Sequence, residues 1–380
     1  MKKEINSFII LFLILNLAYA QNGEVLEESE STKTDEIYVE DKPIEIVNKK
    51  FFNEFFNKKG KGLLMIGENH SSSVASKIYP ELIEYHYKEN DVKTFLIEFG
   101  PAEAYFYAKY LATGNEKLLN YTIYAGYYKD WKKAWKKIYE LNNTLEEPLD
   151  FVGIDFDRSR IFGYALFNIL KVYEDKPKEI DSLLNKIKSQ EFYETYTVEY
   201  PTEVDIKFVV ETKELLKKHF AELELLLTSE DLKFIERLMQ NHALGFNEER
   251  EKDITKNVVE LIETSEEQDF LMLVGRDHTY LNAIYDDKSR LANNLKQVNT
   301  FETLSGLILH ENSQQWGGNF EEEITLFEMR DKIPWKNHYE ALSLKSKNDI
   351  TVIPLEDELD PLTHYVDFVI VARNLGAIQF

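Results

Sequence analysis

Apolar residues are unevenly spread along this chain. They gather in short runs that stop abruptly at charged or polar positions. Four such runs, Leu63 to Ile66, Thr94 to Ile97, Phe151 to Ile154 and Phe270 to Val274, are almost continuously hydrophobic. An alternating pattern would mark a strand with one wet face, whereas unbroken runs of this length predict strands buried on both faces, as in a parallel sheet. Further strands are predicted at Leu304 to Leu309, Ile350 to Pro354 and Asp367 to Val371. Between the first two runs, Ile78, Leu82, Ile83 and Tyr85 recur at helical spacing within Ala75 to Tyr87, and helices are also predicted over Ala102 to Leu111 and Lys129 to Leu141. Strand, helix, strand in succession is a βαβ unit. The expected fold class is therefore α/β, a mostly parallel central sheet flanked by helices. From about 162 to 264 no comparable strand run occurs, and Leu, Lys and Glu at helical periods predict a helical insertion or cap between strands.

The N-terminus follows a different pattern. Met1-Lys2-Lys3 precedes an apolar run from Phe8 to Leu17, broken at Asn16, and then Ala18-Tyr19-Ala20. A charged start, a short apolar centre and a small-x-small site predict a signal peptide over 1–20, cleaved after Ala20. The run is well short of the roughly 20 residues that span a bilayer. Residues 21–43 are polar and acidic and read as a flexible leader, leaving 44–380 for the α/β domain. Export places the mature chain in the periplasm or outside the cell, with no membrane contact expected after cleavage. There are no Cys residues, so a disulfide framework is excluded. The net charge of −23 disfavours nucleic acid and anionic membranes as partners and leaves a small-molecule substrate as the expectation.

In open parallel sheets, ligands bind beyond the carboxyl ends of the strands. That rule turns the strand ends into candidates: Gly67-Glu68-Asn69-His70, Glu98-Phe99-Gly100-Pro101, Asp155-Phe156-Asp157-Arg158 and Gly275-Arg276-Asp277-His278. Two His, several carboxylates and two Arg converge there from distant parts of the chain. A His beside a Glu can act as general base, because the carboxylate fixes its tautomer and stabilises the imidazolium. A second His can serve as acid or oxyanion donor, and an Arg such as Arg276 can hold a substrate carbonyl. No Gly-x-Ser-x-Gly, Cys nucleophile or His-Glu-x-x-His is present. His70, His278, Glu68 and Glu98 could alternatively form a nitrogen and oxygen metal site. Among the remaining candidates, His86 and His219 read as packing or surface residues and His242 as a helix cap. His310 reads as a residue bordering the site, and Arg373 as either a site or a surface charge.

At these residues the chain resembles the erythromycin esterase family, within a larger group that includes haem-binding iron-uptake lipoproteins and Tiki-type and TraB-type proteins. The resemblance runs through Leu64-Met65-Ile66-Gly67-Glu68-Asn69-His70, Phe95-Leu96-Ile97-Glu98-Phe99, Val152-Gly153-Ile154-Asp155, Arg250-Glu251-Lys252-Asp253-Ile254-Thr255-Lys256-Asn257 and Gly275-Arg276-Asp277-His278. It implies hydrolysis of an ester or lactone without metal or cofactor: His70 as the base that activates water, Glu68 and Glu98 in support, and His278 at the reacting carbonyl. Arg250 and Asp155 would border the substrate. By its own surroundings, Glu248-Glu249-Arg250-Glu251-Lys252-Asp253, Arg250 reads as part of a solvated charge run. Two departures separate the chain from the macrolide-cleaving members. Those have two residues between Glu and His, where this chain has only Asn69, and the Arg expected about two turns beyond the first His is missing, with Lys77 and Tyr79 in that neighbourhood. Gly-Glu-x-His is closer to the haem-binding lipoproteins, which leaves haem binding as an alternative, beside a Tiki-type peptidase dependent on a divalent metal.

Overall fold

The structure, a computed structural model, describes residues 49–70, 72–189, 202–282, 288–311, 313–315, 322–324, 350–355 and 361–373. The signal and leader segments expected over 1–43 lie outside the described residues. In chain order the strands are β1 (Lys61–Glu68), β2 (Thr94–Ile97), β3 (Asp150–Gly153), β4 (Asp269–Gly275), β5 (Phe301–Glu311), β6 (Ser313–Gln315), β7 (Glu322–Ile324), β8 (Ile350–Pro354) and β9 (Phe368–Arg373). Among the described residues, seven strands form one sheet in the order β3-β2-β4-β1-β5-β9-β8, and β6 and β7 pair separately. All neighbours in the large sheet are parallel except the edge pair β8 and β9. The α/β architecture expected from the apolar runs is thus the observed one.

The unbroken runs have a direct structural meaning. Leu64, Ile66, Phe95, Ile97, Leu271 and Leu273 belong to the core on one face of the sheet, while Leu63, Met65, Leu96, Phe270, Met272 and Val274 belong to the core on the other. Successive side chains of a strand point to opposite faces, so a strand covered on both sides must be apolar at every position.

On the first face pack α1 (Lys49–Phe56), α2 (Val74–Asn90), α3 (Pro101–Thr113), α4 (Ile123–Tyr127), α5 (Lys129–Asn142) and α6 (Ser159–Leu170). Between β3 and β4 the chain continues through α7 (Lys178–Lys188), α8 (Glu203–Lys218), α9 (Phe220–Leu226), α10 (Ser229–Gln240) and α11 (Arg250–Thr264). The second face is covered by α11 and by α12 (Leu291–Lys296). Local signals set the ends: Pro101 opens α3 with its fixed φ, Gly114 closes it at φ 66, and Thr202 with Asp205 forms a reciprocal capping box on α8. Among the described residues, no helix is long and apolar enough to cross a membrane.

The strands outrun the hydrophobic runs that announce them. β1 begins at Lys61, whose amine reaches the carbonyl oxygens of Ile262 and Ser265 at the end of α11, and β5 extends from Phe301 to Glu311. Ladder pairing continues past the point where side chains stop being apolar.

Candidate functional site

Parallel pairing brings the carboxyl ends of β1 to β4 to one edge. The alternation that places Leu64 and Ile66 against the helices of the first face carries Glu68 to the same side, and the register sets Glu68 opposite Gly275. Glu68 is only 4% exposed, and its Oε1 accepts a hydrogen bond from His70 Nδ1. Tyr124 Oη, on the short helix α4, lies at the same nitrogen. On the far side of the ring, His70 Nε2 stands 3.9 Å from Glu98 Oε2.

Glu98 is the hub of the cluster. Its Oε2 accepts from the backbone N–H of Gly275, and its Oε1 accepts from His278 Nε2 at 3.0 Å and from Arg250 Nη2 at 2.8 Å. His278 is engaged at both ring nitrogens, since Nδ1 reaches Glu251 Oε1 at 2.9 Å. Arg250 forks onto Asp155, with Nε to Oδ1 at 3.1 Å and Nη2 to Oδ2 at 2.6 Å, and its guanidinium lies over the rings of Phe246 and Phe156. A bidentate, stacked guanidinium of this kind is rigidly held.

Burial opposes charge throughout the cluster, and ion pairing prevails. Partial desolvation of the half-exposed His70 ring would lower its pKa, but the Glu68 carboxylate and its hydrogen bond, aided by Glu98, raise it to about 9. His278 follows the same logic: burial lowers, Glu98 and Glu251 raise, and the outcome is about 10. Glu98, which burial would raise, is held well below the usual carboxylate range by His278, His70 and Arg250. Tyr124 keeps its proton far above the ordinary phenol range, because burial and the charges of Glu68 and Glu98 disfavour a phenolate.

Gly275 has a steric reason to be glycine. A Cβ built there would stand 2.8 Å from His70 Nε2 and 3.0 Å from Glu98 Oε2, inside the gap between the two groups.

Of the residues named from sequence, Glu68, His70, Glu98, Asp155, Arg250 and His278 form one connected network. Arg250 is no surface charge: it is the first residue of α11 and fastens two buried carboxylates. Arg276 pairs with Asp277 at 3.6 Å, and its charge bears on His310 instead. His310, buried at the end of β5, meets Ser72 Oγ at 3.3 Å through Nδ1. His86 is a buried packing residue hydrogen-bonded to Asn90, and His219 pairs with Glu179 and Glu222. His242 does not cap a helix through its ring, which pairs with Glu260. Tyr124 and Glu251 were given no role by the sequence, and Gly275 was quoted there only as the start of a strand-end stretch. Glu251 adjoins Arg250 within the family-like stretch and could have been found there, but nothing in the Tyr-rich segment marks Tyr124. Among the described residues, no group of three or more His, Cys, Asp or Glu side chains is placed to hold a metal ion.

No protein-family model matches the sequence, and no curated protein matches it. Solved structures do share its fold. A Bacillus cereus protein superposes with a TM-score of 0.58 at 12% identity, covering 87% of this chain and 92% of its own. An erythromycin esterase, crystallised as a His-to-Asn mutant in its open conformation, gives a TM-score of 0.57 at 15% identity over 85% of this chain and 92% of its own. A succinoglycan biosynthesis protein gives 0.55 at 12% identity over 87% and 91%. These likenesses establish a shared α/β fold.

Proposed function

We propose that the protein is an exported hydrolase of the erythromycin esterase-like type that cleaves an ester or lactone with a water activated by His70. The observation that carries this reading is the placement of His70 between two carboxylates, one on each ring nitrogen's side. With Nδ1–H donated to Glu68, the free lone pair of neutral His70 lies on Nε2, facing Glu98. A water lodged between Nε2 and Glu98 Oε2 would give its proton to Nε2 as its oxygen attacks the carbonyl carbon. The new imidazolium is stabilised by Glu68, and the proton then passes to the leaving alkoxide.

His278 cannot serve this scheme as a free oxyanion donor, because both its nitrogens are occupied by carboxylates. Its role is to hold Glu98, together with Arg250. Tyr124 is the better donor: its oxygen accepts from the shared Nδ1–H, its own proton remains available, and it resists ionisation. Asp155 and Arg250 act as the frame beneath the substrate, and Arg276 would hold a substrate carbonyl. The scheme needs no cofactor, and the acidic surface suits a small neutral or cationic substrate in the periplasm or outside the cell.

The test is hydrolysis of a panel of aryl esters and lactones by the wild type and His70→Ala. The wild type should turn over at least one substrate and the variant should lose about a hundredfold or more. Equal rates for the two proteins would remove the assignment.

A further inference from the structure

A cavity of about 30 Å³ lies at the site itself, on the first face of the sheet, with Glu68, His70, Tyr79, Glu98, Tyr124 and Trp131 among the residues of its wall. Most of that wall is apolar. Of its polar groups, Glu68 Oε2 and Tyr79 Oη are buried and hydrogen-bond to nothing among the described residues. Their side chains are 4% and 5% exposed. Tyr79 keeps its proton, since burial and the Glu68 and Glu98 charges hold its pKa well above the phenol range. One atom is therefore an acceptor and the other a hydroxyl able to donate and accept, and they do not bond to each other.

Buried polar groups of native proteins are almost always paired, by protein or by ordered water. A water needs roughly 10–15 Å³ on this measure and at least two polar partners. The cavity satisfies both conditions, whereas an apolar occupant would leave both atoms unpaired.

We propose that this cavity is a buried water site in which one water donates to Glu68 Oε2 and accepts from Tyr79 Oη. The bridge fixes the rotation of the Glu68 carboxylate, so that Oε1 points at His70 Nδ1 and the proton stays on that nitrogen. Tyr79 is thereby a positioning residue that acts on His70 through a water and Glu68. The kinetic part of this inference rests on the hydrolase reading, but the water and its effect on the His70 tautomer do not.

The experiment combines a high-resolution crystal structure with 15N NMR of His70 in the wild type and Tyr79→Phe, alongside turnover of whichever ester the wild type accepts. The wild type should show a water within hydrogen-bonding distance of both oxygens and, at a pH above the His70 value of about 9, a neutral His70 protonated at Nδ1. In the variant, the water should be lost or displaced, the tautomers should mix, and kcat should fall about tenfold to a hundredfold with KM unchanged. A wild-type cavity without a water bonded to both oxygens overturns the inference, as does a variant with an unchanged His70 tautomer. Because density and tautomer are read without substrate, a protein inactive on esters would sink the hydrolase reading and leave this one standing.

Discussion

Replacing Glu68 with Gln tests the central electrostatic argument with little change in shape. The amide oxygen can still accept from His70 Nδ1, so the variant removes charge and keeps the hydrogen bond. His70 sits at about 9 against an ordinary value of 6.5, and Glu68 is the largest influence raising it. Burial, which pulls the other way, remains in the variant. With 48% of the His70 side chain exposed, solvent screens part of the attraction, so the expected fall is about one to two pH units. The free wild-type protein would carry a neutral His70 in only about 1% of molecules at pH 7, so on the hydrolase reading it should gain activity toward pH 9. In Glu68→Gln the rising limb of kcat/KM should move to about pH 7–8. The plateau should be lower, because the imidazolium formed in the transition state has lost its counter-charge. NMR titration of His70 and a pH profile from 6 to 10.5 measure both effects. A limb that stays near pH 9, with an unshifted His70 titration, would refute the argument that Glu68 governs the base.

Three further outcomes follow from the same geometry. Gly275→Ala should lose about a hundredfold or more in kcat/KM with a near-normal melting temperature, since its Cβ would enter within 3.0 Å of both His70 and Glu98; activity within threefold of wild type would contradict this. Arg250→Ala leaves the buried Asp155 carboxylate without its cation, takes one partner from Glu98, and should destabilise the fold by about 3–5 kcal/mol in urea unfolding, a loss that a purely surface charge would not produce. His86 and His310 are held neutral by burial, with pKa values lowered to about 4 and about 3. For such depressed groups the unfolded chain binds more protons, so their contribution is intact above about pH 6.5 and is lost as pH falls through 4. His86→Asn and His310→Asn should flatten the acid limb of a stability profile; an unchanged limb would assign acid sensitivity to other groups.

Much of this site was legible because strand ends are legible. Continuous apolar runs identify strands buried on both faces, and the polar residue after each run must lie at the carboxyl edge, which gives Glu68, Glu98, Asp155 and His278 at once. Strand order was not legible, because the insertion of β4 between β1 and β2 depends on how the helices pack after chain segments hundreds of residues apart meet. Arg250 shows a second limit. A run of mixed charges looks solvated in sequence, and only the approach of α11 to the sheet edge turns its first residue inward. Tyr124 marks a third, since α4 is too short to give a periodic signal. The surroundings of His278 were not legible either: spacing brings it to the sheet edge but cannot count how many carboxylates claim its ring.

The hydrogen bonds that assemble the site join residues 95, 152, 177 and 180 positions apart. Contacts of such sequence separation form only after the intervening chain has been closed into loops, and parallel pairing makes that search slower still. The network cannot exist in a half-built domain: β2 and β3 are neighbours joined by the chain from Ile97 to Asp150, but Glu98 finds Gly275 and His278 only when β4 has threaded between β2 and β1. Refolding should therefore recover helical content first and the bonded state of His278 last, which makes that ring a clock for the completion of the central sheet.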